Sequence, residues 1–130
     1  MRRRFETLAD EAVGYVAEVL PRALAKYPQV VLATHVPPFR EAAWYRDRYC
    51  SEDWLPYFSC RAMGELLVGL METRRDARLL VLCGHTHGSG KAEILENLLV
   101  ITGGAESGRP APQQVLEFDG PAVPGEGGSW

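Results

Sequence analysis

The chain contains three histidines, and each directly follows a stretch that reads as a buried strand. His35 lies in Thr34-His35-Val36-Pro37-Pro38, after Val30–Ala33. His85 and His87 lie in Gly84-His85-Thr86-His87-Gly88, after Leu79–Cys83. Neutral imidazole is a good ligand for zinc, iron or manganese. Ligand sites of open α/β sheets gather at the carboxyl ends of strands. If the two strands are neighbours, all three imidazoles are expected to converge on one cation site. A His-x-His spacing on extended backbone would point the rings to opposite faces. Gly84 and Gly88 are expected to relax the backbone so that both rings approach one cluster. A lone histidine is more often structural; the grouping at strand ends is what points to metal.

The elements that would position these residues follow from periodicity. Apolar residues at Leu8, Ala12, Val16, Val19, Leu20 and Ala23 predict an amphipathic helix over Phe5–Lys26, kinked or split by Pro21. Residues 39–60 show no clean period and read as a long excursion with short helical pieces. Met63, Leu66, Leu67, Leu70 and Met71 predict a second helix over Arg61–Arg75. Lys91–Leu95, Leu98–Thr102 and Val115–Phe118 are short strand candidates, and close neighbours of this kind pair antiparallel. The order is that of an α/β fold. Helices on one side of two buried strands would leave apolar sheet surface without a cover.

The bulk properties place few further limits. With 130 residues the chain can form one domain of ordinary size. A net charge of -3 provides no basic field for nucleic acid, and the apolar runs are too short to span a bilayer. Three cysteines without a CxxC pair or a secretory signal favour reduced thiols in the cytoplasm. Gly and Pro dominate from residue 120, so 1–119 reads as the folded part and 120–130 as a flexible tail.

Val31-Leu32-Ala33-Thr34-His35-Val36-Pro37-Pro38 resembles the fourth motif of the calcineurin-like metallophosphoesterases, and Leu80-Val81-Leu82-Cys83-Gly84-His85-Thr86-His87 resembles their fifth, GHxH. Asn97–Gly104 is similar to the family's closing β-segment. The resemblance covers roughly residues 10–119. It implies the C-terminal half of a layered α/β/β/α sandwich with a mixed sheet. It implies that His35 and His85 bind the second of two divalent or trivalent ions (Mn, Fe or Zn) and His87 the first, and that the substrate is a phosphate mono- or diester.

The family's Asp-x-His, Gly-Asp-x-x-Asp and Gly-Asn-His motifs do not occur in this sequence. No catalytic residue is therefore assigned, and the chain alone is expected to bind metal weakly and to hydrolyse little or nothing. The expected partners are the missing N-terminal half or a second copy meeting the exposed sheet. A non-catalytic dimerisation or partner-binding domain is the alternative function, with a Cys/His structural zinc module ranked behind it. Cys83 is expected in the core. Arg40, Arg46 and Arg48 either hold substrate phosphate from a cap or stay in solvent while the aromatics around them pack.

Overall fold

A computed structural model describes residues 2–45, 48–49 and 60–118, with side chains described for 7–43 and 60–118. The predicted tail after residue 119 lies outside the described residues, as do Arg46 and Cys50.

Helix α1 spans Arg2–Lys26 and contains Pro21. The expected split at Pro21 does not occur. A proline inside a helix costs about 3 kcal/mol, but Val16, Leu20 and Leu24 are all buried on the two sides of it. At about 1.5–3 kcal/mol for each buried aliphatic side chain, packing outweighs that cost.

Strand β1 (Gln29–Ala33) leads to a 3-10 turn at Arg40–Ala42. Two short strands, β2 (Trp44–Tyr45) and β3 (Arg48–Tyr49), then pair antiparallel. The excursion thus holds a small strand pair besides the expected helical piece. Helix α2 spans Arg61–Thr73, followed by β4 (Arg78–Cys83), β5 (Gly90–Leu95) and β6 (Leu98–Thr102). Residues 115–118 form no strand, contrary to the strand expected there. Val115 is 81% exposed, so no sheet edge receives this segment.

The main sheet is mixed, in the order β1-β4-β6-β5. β1, β4 and β6 are parallel, and β5 is antiparallel to β6. The fold is α/β. Both helices lie on one face: Val16, Leu20, Met63, Leu67 and Met71 pack with Leu79, Val81, Leu98 and Val100 in a single core. The alternate residues Val31, Leu80, Leu82, Leu99 and Ile101 occupy the opposite face. At the β1 edge this face is open, with Val31 43% exposed.

Two devices fix α2. At its N-terminus, Cβ built on Gly64 would overlap the Pro38 carbonyl oxygen and lie 3.0 Å from the Phe39 ring, so only glycine admits this approach. The Cys60 N–H also donates to the Pro37 carbonyl at 2.9 Å. At its C-terminus, the buried Asn97 amide, in the turn between β5 and β6, donates to the carbonyls of Met71, Arg74 and Ala77.

Candidate metal centre

His35 and His85 leave neighbouring parallel strands. β1 and β4 pair with Ala33 opposite Leu82. The ladder continues past the strand ends, because Thr34 N–H donates to the Leu82 carbonyl and Gly84 N–H to the His35 carbonyl, at 2.9 and 3.0 Å. This register brings His35 beside the Gly84-His85 step. His35 Nε2 and His85 Nδ1 lie 3.0 Å apart, and the ring centroids are 4.7 Å apart at an interplanar angle of 69°. His35 is exposed and His85 half-buried, so solvent ions reach both.

The contact has two chemical uses. With one ring donating N–H and the other accepting, it is a hydrogen bond. With both nitrogens unprotonated, the pair presents two lone-pair donors at one point. For metal–nitrogen bonds of about 2.1 Å, a 3.0 Å separation corresponds to a nitrogen–metal–nitrogen angle of about 90°, as for adjacent ligands of an octahedral ion. By their separation, the two nitrogens match two adjacent coordination positions of one ion.

The His85-Thr86-His87 loop achieves its shape by means other than those expected. Gly84 and Gly88 do not take the left-handed conformation; His85 and His87 do, each at φ 65°. Left-handed backbone costs a non-glycine residue about 1–2 kcal/mol, and strain of this kind collects at functional sites. Thr86, 1% exposed, is the inward peg of the loop. Its hydroxyl has no hydrogen-bond partner among the described residues, while its N–H donates to the Gly84 carbonyl. With Thr86 buried between them, His85 is half-buried and His87 exposed.

The three imidazoles do not converge as expected. The His87 ring joins neither of the others by a hydrogen bond or ring contact among the described residues. No group of three or more His, Cys, Asp or Glu that could hold a metal occurs among them. The His87 loop is tied elsewhere, through its carbonyl, which accepts from Ala105 N–H at 3.1 Å.

Cys83 lies in the core, as expected. Its Sγ is 3.5 Å from Thr102 Oγ1, and burial, partly offset by that hydroxyl, pushes the thiol above its ordinary value. A thiol held protonated is a poor zinc ligand. Arg40 is exposed on the 3-10 turn, Arg46 lies outside the described residues, and Arg48 is placed by its backbone alone, opposite Tyr45.

Sequence reasoning missed three residues that hold the site. Gly64 seats the Pro37-Pro38 segment that follows His35, and both prolines are fully buried. Thr102 Oγ1 donates to the Ala42 carbonyl at 2.7 Å, tying the end of β6 to the 3-10 turn. Thr86 is hidden by its polar type. For Gly64 the legible signal was a glycine inside a helical period, where it needs a packing reason.

No helix among the described residues is long and apolar enough to cross a membrane. No family model matches the chain, and neither a curated protein nor a solved structure matches it.

Proposed function

We propose that this chain is the C-terminal, histidine-bearing part of a calcineurin-like metallophosphoesterase, in the layered sandwich that the resemblance implies. The reading rests chiefly on the 3.0 Å approach of His35 Nε2 and His85 Nδ1 at the carboxyl ends of adjacent parallel strands. The left-handed His85 and His87 add strain at the same place. His35 and His85 hold one ion, and His87 belongs to the other. When bound, such ions supply a hydroxide nucleophile at neutral pH and neutralise charge on the phosphoryl oxygens. The chain's own residues orient ligands: β1 and β4 hold the two rings in register, and Pro37, Pro38 and Gly64 keep the first loop from drifting.

Two imidazoles without a carboxylate compensate poorly for the charge of a dication. The chain by itself is therefore a weak metal binder with little or no hydrolytic activity, and the remaining ligands come from another polypeptide segment. The test is hydrolysis of a chromogenic phosphodiester by the pure chain with Mn²⁺ or Zn²⁺. Little or no turnover is expected; measurable turnover abolished by His85→Ala would show that this chain is sufficient.

A second reading, a partner-binding domain, is favoured by exposed apolar side chains on α1 and, on the opposite sheet face, at the β1 edge. Leu8, Tyr15, Val19 and Val31 are exposed at 55%, 67%, 39% and 43%. The first three repeat at the seven- and four-residue spacing of a helix seam. β1 is one of the two outer strands of the main sheet and carries no charge to guard its edge. Both readings require a partner. They part on metal content: about two ions per complex for the enzyme, none for the binding domain.

A further inference from the structure

A cleft of about 450 Å³ opens on the sheet face opposite the helices. Its floor is aliphatic, from Leu82 and Ile101, and Leu116 lines it from the segment that crosses this face. Its polar wall consists of Ser89, Lys91, Gln113 and Gln114, together with the glycine backbone of 103–104. Lys91 is the only charged residue among the described residues lining it, and Glu93, two residues further along the same face of β5, is not one of them. The cleft sits at the carboxyl ends of β4 and β6, where parallel strands of α/β sheets present ligands.

The polar wall is ordered before any ligand arrives. Gly103 N–H donates to the Cys83 carbonyl and Ala105 N–H to the His87 carbonyl, so the loop after β6 is fastened to the histidine loop. Gln113 Nε2 donates to the Ala111 carbonyl at 3.2 Å, which sets its amide. A Cβ at Gly104 would lie 3.3 Å from both Gln113 Oε1 and Ser89 Cβ, so the glycine permits the close packing of these three segments.

We infer that this cleft binds a small organic anion: its apolar body lies on Leu82, Ile101 and Leu116, and its charge faces Lys91. A mixed cleft with an aliphatic floor and a few convergent polar groups is the general form of a small-molecule site. One cation, with no carboxylate among the described residues lining the cleft, selects the sign of the ligand. The inference borrows from the phosphoesterase reading only the prospect that the anion is a phosphate ester. The cleft contains none of the three histidines and works without metal.

The test uses the full chain in a chelating buffer, with backbone amide shifts followed by NMR during titration with phenyl phosphate, benzoate, inorganic phosphate or benzyl alcohol. Saturable shifts at Gly103, Gly104 and Leu116 are expected with phenyl phosphate and benzoate. Lys91→Gln should weaken binding about fivefold or more, as for loss of one charge-assisted contact, and Lys91→Arg should restore most of it. His85→Ala should leave it unchanged, which separates this site from the metal centre. A preference for phenyl phosphate over benzoate ties the cleft to phosphate esters; equal binding supports an organic-anion site of broader choice. Equal binding of benzyl alcohol, equal binding of inorganic phosphate, no saturation, or indifference to Lys91→Gln would each overturn the inference.

Discussion

The two loops that carry the histidines are built by opposite means. The 34–38 loop is held from outside: Pro37 and Pro38 are fully buried, and α2 reaches them through the one residue type that fits, Gly64. The 84–88 loop is held from within, by a buried threonine peg and two histidines forced into left-handed backbone. The first positions its histidine through packing and low chain entropy; the second does so through local strain that the surrounding sheet must sustain. The difference teaches that one contact between two rings can depend on two independent supports, which mutation can separate.

The largest effect is expected at the packed loop. Gly64→Ala places a methyl group against the Pro38 carbonyl, and overpacking of this kind costs about 1–3 kcal/mol. Urea unfolding should show the loss, and the imidazole signals of His35 should move while those of His87 stay. Asn97→Ala is the control at the far end of α2. It strips carbonyls of their donor and should cost about 1–3 kcal/mol, leaving the His35–His85 contact intact. If Asn97→Ala disturbed that contact as much as Gly64→Ala, the packing of Gly64 would not be its specific support.

The strained loop should answer in the opposite direction. His87 makes no side-chain hydrogen bond, ion pair or ring contact among the described residues, so His87→Gly removes strain at φ 65° and should stabilise the chain by about 0.5–1 kcal/mol. His87→Val, β-branched, should destabilise it by at least as much. His85→Gly should gain less than His87→Gly, because it also removes the ring that meets His35. Equal thermal shifts for the two glycine variants would contradict that contact.

The smallest effect concerns the thiol beside the site. Burial raises the Cys83 thiol above its ordinary value, so the folded chain holds this proton more tightly than the unfolded chain. The associated stability is complete below the ordinary thiol range and declines as pH rises through the raised value. Native Cys83 should accordingly resist alkylation near neutral pH and react on unfolding. Rapid modification of native Cys83, read by mass spectrometry, would place it outside the core.

Much of this arrangement was legible in the sequence because burial and periodicity write it there. The runs at 30–33 and 79–83 mark the parallel strands, and histidines just beyond their ends foretell a meeting at one end of the sheet. What stayed hidden depends on contacts distant in the chain. The reach of α1 through Pro21 depends on Val16, Leu20 and Leu24 finding the body. The absence of a strand at 115–118 depends on no edge receiving it, although its residue types suit one. Left-handed histidines flanked by glycines invert the usual assignment of that conformation, which residue preference alone places on glycine. The burial of Thr86 between His85 and His87 was equally hidden, because its type predicts exposure.

The central claim is that His35 Nε2 and His85 Nδ1 form two adjacent donors for one cation. Imidazole nitrogen NMR during titration with millimolar Zn²⁺ tests it most directly. The account predicts that these two nitrogens shift together, weakly and reversibly with a chelator, and that His35→Ala or His85→Ala abolishes the response at the other ring while His87→Ala does not. If either ring kept its full response after loss of the other, or if both ignored zinc while His87 responded, the paired donor site would be contradicted.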